Sequence, residues 1–296
     1  MTVTVIFLRY EIKDSEKIRH FERTPVLIFG AGSCDRITMQ SKVKVNCIMV
    51  KNSNIISVPG VDGDKEYLEC EKNWVYDLLI AAAGWFGAYT FIQRGGVFCN
   101  AQTANVVLFA IALGQGNISR ALYLLLPIGA YFLGAFVSEY LGKSVKKFHF
   151  LRWDTVLIGI EILTVLVLGF LPAEVPDQIC QVVLNFICSM QFNTFRQMQG
   201  IPAATTFVTN HIRQVGHFLA KYIRHHEKTY SDRVKAHGRL LLFFLGGAIL
   251  STVACRFLEY RSIWGSAIIL LIVFIRLFHA DRSYEKDYLT KVPHGH

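Results

Sequence analysis

Apolar residues gather into runs of sixteen to twenty-one that begin near Trp74 and stop near Leu277. The runs are Val75–Ile92, Gly96–Gly114, Ala121–Leu141, Thr155–Leu171, Asp177–Phe195, Leu240–Leu258 and Ser262–Leu277. A helix of about 20 apolar residues matches the hydrocarbon thickness of a bilayer. The pattern therefore predicts an all-α fold, a polytopic transmembrane helix bundle. Two stretches break it. Gly96–Gly114 is softened by Asn100, Gln102, Thr103 and Asn105, and Pro202–Ile223 carries Asn210, His211, Arg213, Gln214 and His217. Groups this polar do not face lipid cheaply. The reading is about six spans plus two polar or re-entrant helices, or eight spans if both stretches cross.

Outside the runs the chain is ordinary polar sequence. Residues 1–73 read as an N-terminal extension, 74–278 as the bundle and 279–296 as a polar tail. Within the extension, Thr2–Tyr10 alternates like a strand, and Pro25–Phe29 leads into Gly30-Ala31-Gly32. A strand followed by G-x-G opens some dinucleotide folds, but the third glycine and the following helix pattern are missing, so a turn after a short apolar run is the plainer reading. A basic region followed by an apolar core, the mark of a signal peptide, is not seen here. Met39 and Met49 offer later starts, which would leave part of the extension outside the native protein.

Composition sharpens this. Charged residues make up 18% of the chain, against about 25% in soluble domains. Lys and Arg number 31 and Asp and Glu 22, for a net charge of +9. The excess sits between apolar runs, as at Lys143, Lys146, Lys147 and Arg152, which fits the positive-inside rule better than a nucleic-acid surface. By that rule Lys143–Arg152, Arg196–Arg239 and the C-terminal tail share the cytoplasmic side. With the C-terminus and the N-terminus both cytoplasmic, Gly96–Gly114 dips in from the far side and Pro202–Ile223 from the cytoplasm, giving two inverted halves, each with a re-entrant element. The seven cysteines form no CxxC pair and fall largely in apolar runs, where Cys is a small hydrophobe. Neither a metal site, a cofactor motif nor a nucleophile–base constellation emerges, so no enzyme and no cofactor is expected.

Several polar residues inside or beside the runs are candidates for a substrate path: Thr103, Asn105, Glu161, Gln191, Thr209, Asn210 and Arg213. At the start of broken helices, the Thr and Asn residues would line a solute path with free backbone N–H groups; alternatively they are interhelical hydrogen-bonding glue. Glu161 stands deep in its run, where an acid must be paired, protonated or beside a cavity. Arg213 and Arg196 are its candidate counter-charges. His211, His217, His225 and His226 lack the spacing of a metal site and read as a solvated cytoplasmic face.

Two motifs carry a family resemblance. Gly95-Gly96-Val97-Phe98-Cys99-Asn100-Ala101-Gln102-Thr103-Ala104-Asn105 is one, and Met190-Gln191 with Thr205-Thr206-Phe207-Val208-Thr209 is the other. From Tyr76 to Leu277 the chain resembles the YoaK-like bacterial membrane proteins, a domain-of-unknown-function family. The resemblance implies a polytopic helical fold in the bacterial cytoplasmic (inner) membrane. An acid usual in that family's first helix falls at Gly87 here, and the glycine after each motif Thr is replaced, by Ala104 and by Asn210. The motifs also resemble each other, with Gly95 and Gly200 separated by 105 positions and Thr103 and Thr209 by 106, as in an internal repeat.

The function expected is permeation or transport of a small molecule or ion, with the lipid bilayer as the constant partner and no nucleic acid. The alternative is a non-transporting membrane scaffold or anchor that uses its basic cytoplasmic surface.

Overall fold

The computed structural model describes residues 67–145, 150–289, 291 and 293, together with the two strands Thr4–Phe7 and Pro25–Ile28. Gly30–Gly32, Met39, Met49 and most of the basic loop before Phe150 lie outside the described residues. The chain divides into two units, 1–60 and 61–296.

In the first unit, β1 (Thr4–Phe7) pairs antiparallel with β2 (Pro25–Ile28), Thr4 opposite Ile28 and Phe7 opposite Pro25. Antiparallel pairing of these two strands excludes the parallel βαβ start of a dinucleotide fold, which needs a crossover connection.

The second unit is an all-α bundle. Its helices are α1 (Asn73–Gln93), α2 (Gln102–Gly114), α3 (Ile118–Val145), α4 (Trp153–Gly169), α5 (Asp177–Thr194), α6 (Thr209–His225), α7 (Lys228–Leu258) and α8 (Trp264–Arg282). A short hairpin, β3 (Gln197–Met198) with β4 (Ile201–Pro202), lies between α5 and α6. Three stretches are long and apolar enough to cross a membrane: Asn73–Gln93, Ile118–Gly142 and Lys228–Arg282, the last holding both α7 and α8. The outer faces match, with Phe132, Phe136, Leu163, Phe170, Leu242 and Phe257 exposed, as lipid-facing side chains are.

Side-chain pairs fix the helix directions. Asp77 meets Arg239, Trp85 meets Ser251 and Gln93 meets Cys255, so α1 and α7 run parallel. Tyr123 meets Gln178 and Ser138 meets Met190, so α3 and α5 also run parallel. Gln181 bonds Arg94 and Phe195 packs on Tyr76, which sets α5 antiparallel to α1. Trp85 with Ser262 and Trp74 with Arg276 set α8 antiparallel to α1; Thr155 with Asp281 and Leu166 with Trp264 set α4 antiparallel to α8. Hence α1, α4 and α7 run one way and α3, α5 and α8 the other. We call the end holding Asp77, Thr194 and Arg239 the near end, and the end holding Arg94, Asp177 and Ser262 the far end.

The two remaining helices are partial. Asn100 donates from its side chain to the carbonyl of Ala83, the middle residue of α1, at 3.0 Å. The chain therefore leaves α1 at the far end, turns back at Gly95 and Gly96 (φ +71° and +70°), and reaches mid-depth before α2 begins. A Cβ on Gly95 would stand 2.9 Å from Nε2 of Gln181, and its φ is one that glycine adopts freely. With 13 residues α2 is about 20 Å long, enough to return to the far end and no more. The second dip mirrors it. From the near end, residues 203–208 turn inward until Thr206 adjoins Tyr131, midway along α3, and α6 then leads back to the near end.

The halves α1–α4 and α5–α8 are thus inverted copies, and the copying reaches single contacts. Gly247 lets α7 approach Ala81 of α1, where a Cβ would sit 2.0 Å from the carbonyl oxygen; Gly134 does the same for α3 against Phe186 of α5, at 2.3 Å. The Ser251 hydroxyl donates to the Trp85 carbonyl at 3.0 Å, and the Ser138 hydroxyl to the Met190 carbonyl at 3.3 Å. A shift of 105 positions takes Ala81 to Phe186 and Trp85 to Met190, while 113 takes Gly134 to Gly247 and Ser138 to Ser251. Small residues at such crossings permit close backbone approach without a hydrophobic driving force.

Both ends are tied by ion pairs. At the near end, buried Arg152 bonds Asp154 at 2.9 Å and reaches the carbonyls of Tyr288 and Lys291. The Glu69 carboxylate accepts from Lys72, from Trp74 and from Tyr284. Burial pushes the Glu69 carboxyl up, and these donors together bring it below its ordinary value. At the far end, buried Arg94 lies 3.5 Å from Asp177 and stacks over Tyr260.

Candidate functional site

The two dips converge on a cluster of buried polar residues in the middle of the bundle. From the first comes Cys99, whose sulfur lies 3.8 Å from that of Cys188 on α5. From the second comes Thr206. Tyr131 of α3 adjoins Cys99, Cys188 and Thr206 together, so the two turns share one neighbourhood. Glu161, the middle residue of α4, lies within electrostatic reach of Cys188.

The polar lining comes mainly from α5. Gln181, Asn185 and Ser189 recur at four-residue spacing, which places them on one helix face, and all are buried. Asn185 accepts from Gln102 at 2.5 Å and donates to the Gln181 carbonyl at 2.7 Å, tying the start of α2 to α5. Gln191 donates to the Thr205 carbonyl at 3.4 Å and ties the second dip to the same helix. Several buried oxygens have no hydrogen-bond partner among the described residues: both of Glu161, Oδ1 of Asn105, the hydroxyls of Ser189 and Thr205, and Oε1 of Gln191. A buried polar atom without a partner costs roughly 1–3 kcal/mol. Such atoms at the mouths of two broken helices are what a polar solute or water would satisfy.

Each dip is closed by the same device. Asn105, one turn into α2, donates to the carbonyl of Phe98 at 2.7 Å. His211, one turn into α6, bonds the carbonyl of Ala204 at 2.8 Å. In both cases the side chain reaches back seven positions, and 106 positions separate the two donors and the two acceptors alike. The repeat seen in the motifs is therefore a repeated hydrogen bond. Neither half-helix has a side-chain cap at its first residue, which leaves the positive end of each helix dipole facing the interior.

The structure sorts the sequence candidates. Asn105, Glu161 and Gln191 are fully buried and belong to or adjoin the central polar cluster. Thr103 and Thr209 are exposed, on the outer faces of α2 and α6. Asn210 is half-buried and holds exposed Arg213 at 2.9 Å, a local pair outside the central cluster. Neither candidate counter-charge reaches Glu161: Arg196 binds Glu139 at 3.0 Å and Arg213 binds Asn210. The histidines need a correction too. His217, His225 and His226 are exposed as expected, but His211 is fully buried and its Nδ1 lies 2.9 Å from Nδ1 of His237. Sequence reasoning also passed over Gln181, Asn185, Ser189 and His237. The four-residue spacing on α5 was the available signal for the first three; His237 gave none. Gly87, where the resembled family has an acid, lies against Asn100, with a Cβ there 3.2 Å from the amide oxygen. A carboxylate at that position would therefore face the first dip.

The family model for the protein of unknown function DUF1275 matches residues 77–276, which spans α1 to α8 and both dips. The chain belongs to that family, and it is an integral membrane protein by its apolar helices. No curated protein and no solved structure matches it.

Proposed function

We propose that this protein carries a small polar solute or an ion across the bacterial cytoplasmic membrane, by alternating exposure of the central polar cluster to its two ends. One observation carries the reading. Two helices, α2 and α6, start in the interior after loops that enter from opposite ends, and beside their starts lie buried oxygens of Asn105, Glu161, Ser189, Gln191 and Thr205 without a hydrogen-bond partner among the described residues. Inverted halves with broken helices at the midplane are the build of many secondary transporters. Non-helical backbone at that depth is tolerated only where it is buried or lines a cavity.

In this reading the near end is cytoplasmic, because Arg152, Arg196, Arg239 and the basic face of α6–α7 gather there. Six helices cross, α2 and α6 do not, and the C-terminus lies inside. Glu161 works as a protonatable group, since its carboxylate has no counter-charge among the described residues. The chain's own residues would then bind and release the solute without covalent chemistry. A scaffold reading draws on half-buried Lys221 and the exposed basic residues Arg224 and Lys228, but it gives no account of the central oxygens.

The test is a thermal-shift panel on purified full-length protein, with inorganic ions, amino acids, sugars and nucleobases, followed by proteoliposome flux for whichever probe stabilises it. The reading expects stabilisation by one class, flux of that class, and loss of both in Glu161→Gln. Stabilisation and flux equal in wild type and variant would remove Glu161 from the mechanism. No stabilisation by any class would favour the scaffold.

A further inference from the structure

The clamp that closes each dip is made by different chemistry in the two halves. In the first, Asn105 donates an amide hydrogen to Phe98, and an amide does not titrate in the physiological range. In the second, His211 holds Ala204 and its ring continues into His237. The hydrogen-bond pattern fixes both tautomers. A carbonyl can only accept, so Nε2 of His211 carries the hydrogen and donates it to Ala204. Its Nδ1 is then a bare acceptor, and the 2.9 Å contact requires Nδ1–H on His237. That leaves Nε2 of His237 as a buried lone pair without a partner among the described residues.

We infer that Nε2 of His237 is a proton-binding site that opens the near-end dip, while the far-end dip, closed by Asn105, ignores pH. The inference rests on the transport reading for its use, but not for its evidence. A proton entering at Nε2 leaves the Nδ1–Nδ1 bond intact and spreads one positive charge over two buried rings. Among the described residues no acid in reach neutralises it. The charged groups acting on His237 are His211 and Arg213 on α6 and Arg233 on α7, all of them neutral or basic. On α1, which packs along α7, Asp77 is taken up by Arg239 at 2.9 Å. On α7 itself Asp232 lies five positions before His237 and is not among the groups acting on it. α6 carries no acid. An unpaired charge buried among Phe218, Ala204 and the two rings favours the arrangement that admits water, in which α6 parts from α7 and releases the loop holding Thr205 and Thr206.

Hydrogen–deuterium exchange of the full chain in nanodiscs tests this, at about pH 7.5 and about pH 5.5, on either side of the ordinary histidine value near about 6.5, with rates corrected for intrinsic exchange chemistry. Peptides covering 203–215 should exchange about tenfold faster at the acid pH, because an open-form imidazole of ordinary affinity, about one unit above that pH, is protonated over neutral by about that factor while the buried closed form takes up no proton. Peptides covering 97–110 should be unchanged. His237→Gln and His237→Asn, whose side-chain amides can still donate to His211, should each keep the closed-state protection and remove the acid response. Should either variant unfold, the other alone decides. An unchanged rate at 203–215 in the wild type, an equal acceleration at 97–110, or an acid response surviving in both variants would overturn the inference. Exchange needs no substrate, so a positive result here stands even if no panel member is transported.

Discussion

The two half-helices solve one problem in two ways. Each begins in the interior after an inward loop, and each is held by a side chain that reaches back seven positions to a carbonyl. In the first half that side chain is Asn105, an amide with a second contact to Gln102 at 3.3 Å. In the second it is His211, tied on to His237 across to α7. Geometry is shared while chemistry is not, so what the symmetry conserves is the closed position of the dip, and what it leaves free is how the dip is released. Helices α4 and α8 show the same division. Glu161 sits at the centre of α4, and Val273 at the centre of α8; both are fully buried, but only one is an acid.

The comparison breaks most severely at its close crossings. Leucine at Gly247 or at Gly134 would drive a side chain into the carbonyl of Ala81 or of Phe186. Each should cost roughly 3 kcal/mol or more. Thermal unfolding followed by size-exclusion chromatography should show both variants largely lost, whereas leucine at Gly246 or Gly129, where nothing stands within 4 Å, should survive. Survival of Gly134→Leu alongside loss of Gly247→Leu would mean that the two crossings are not equivalent.

Next come the clamps. Asn105→Leu strands the part-buried carbonyl of Phe98 and His211→Leu the buried carbonyl of Ala204, each at a cost of roughly 1–3 kcal/mol. Denaturation of the purified variants should show similar losses near neutral pH. Glu161→Leu should act in the opposite direction, stabilising by roughly 1–3 kcal/mol because an unpartnered buried acid is replaced by an apolar chain. It should abolish any flux found in the wild type. A destabilised Glu161→Leu would show that the carboxyl has a partner. The smallest effect belongs to Ser138→Ala and Ser251→Ala, each expected to cost about 1 kcal/mol or less, and alike, in the same unfolding assay.

Much of the fold was legible in the sequence, because lipid imposes a single rule on every exposed helix face. Glu161 could be found as an acid in an apolar run, and the inverted arrangement followed from where Lys and Arg fall. The starts of the half-helices were harder. The first begins at Gln102 rather than Gly96, since Val97, Phe98 and Cys99 are as apolar as a helix interior yet form the inward loop. The second begins at Thr209 rather than Pro202, after the loop that delivers Thr205 and Thr206. His211 read as solvated because its sequence neighbours His217, His225 and His226 are. Its burial comes from His237, 26 positions away on another helix, and no local pattern displays such a pairing. The repeated clamp was invisible for a related reason: Asn and His are different letters doing one geometric job.

The central claim is that the two dips enter from opposite ends, and the tips of the two half-helices report on it directly. Single cysteines placed at Asn117, between α2 and α3, and at Lys228, where α7 begins, can be challenged with a membrane-impermeant maleimide in intact cells and again after permeabilisation. We predict labelling of Asn117→Cys from outside and labelling of Lys228→Cys only after permeabilisation. Labelling of both positions from the same side would contradict the inverted arrangement.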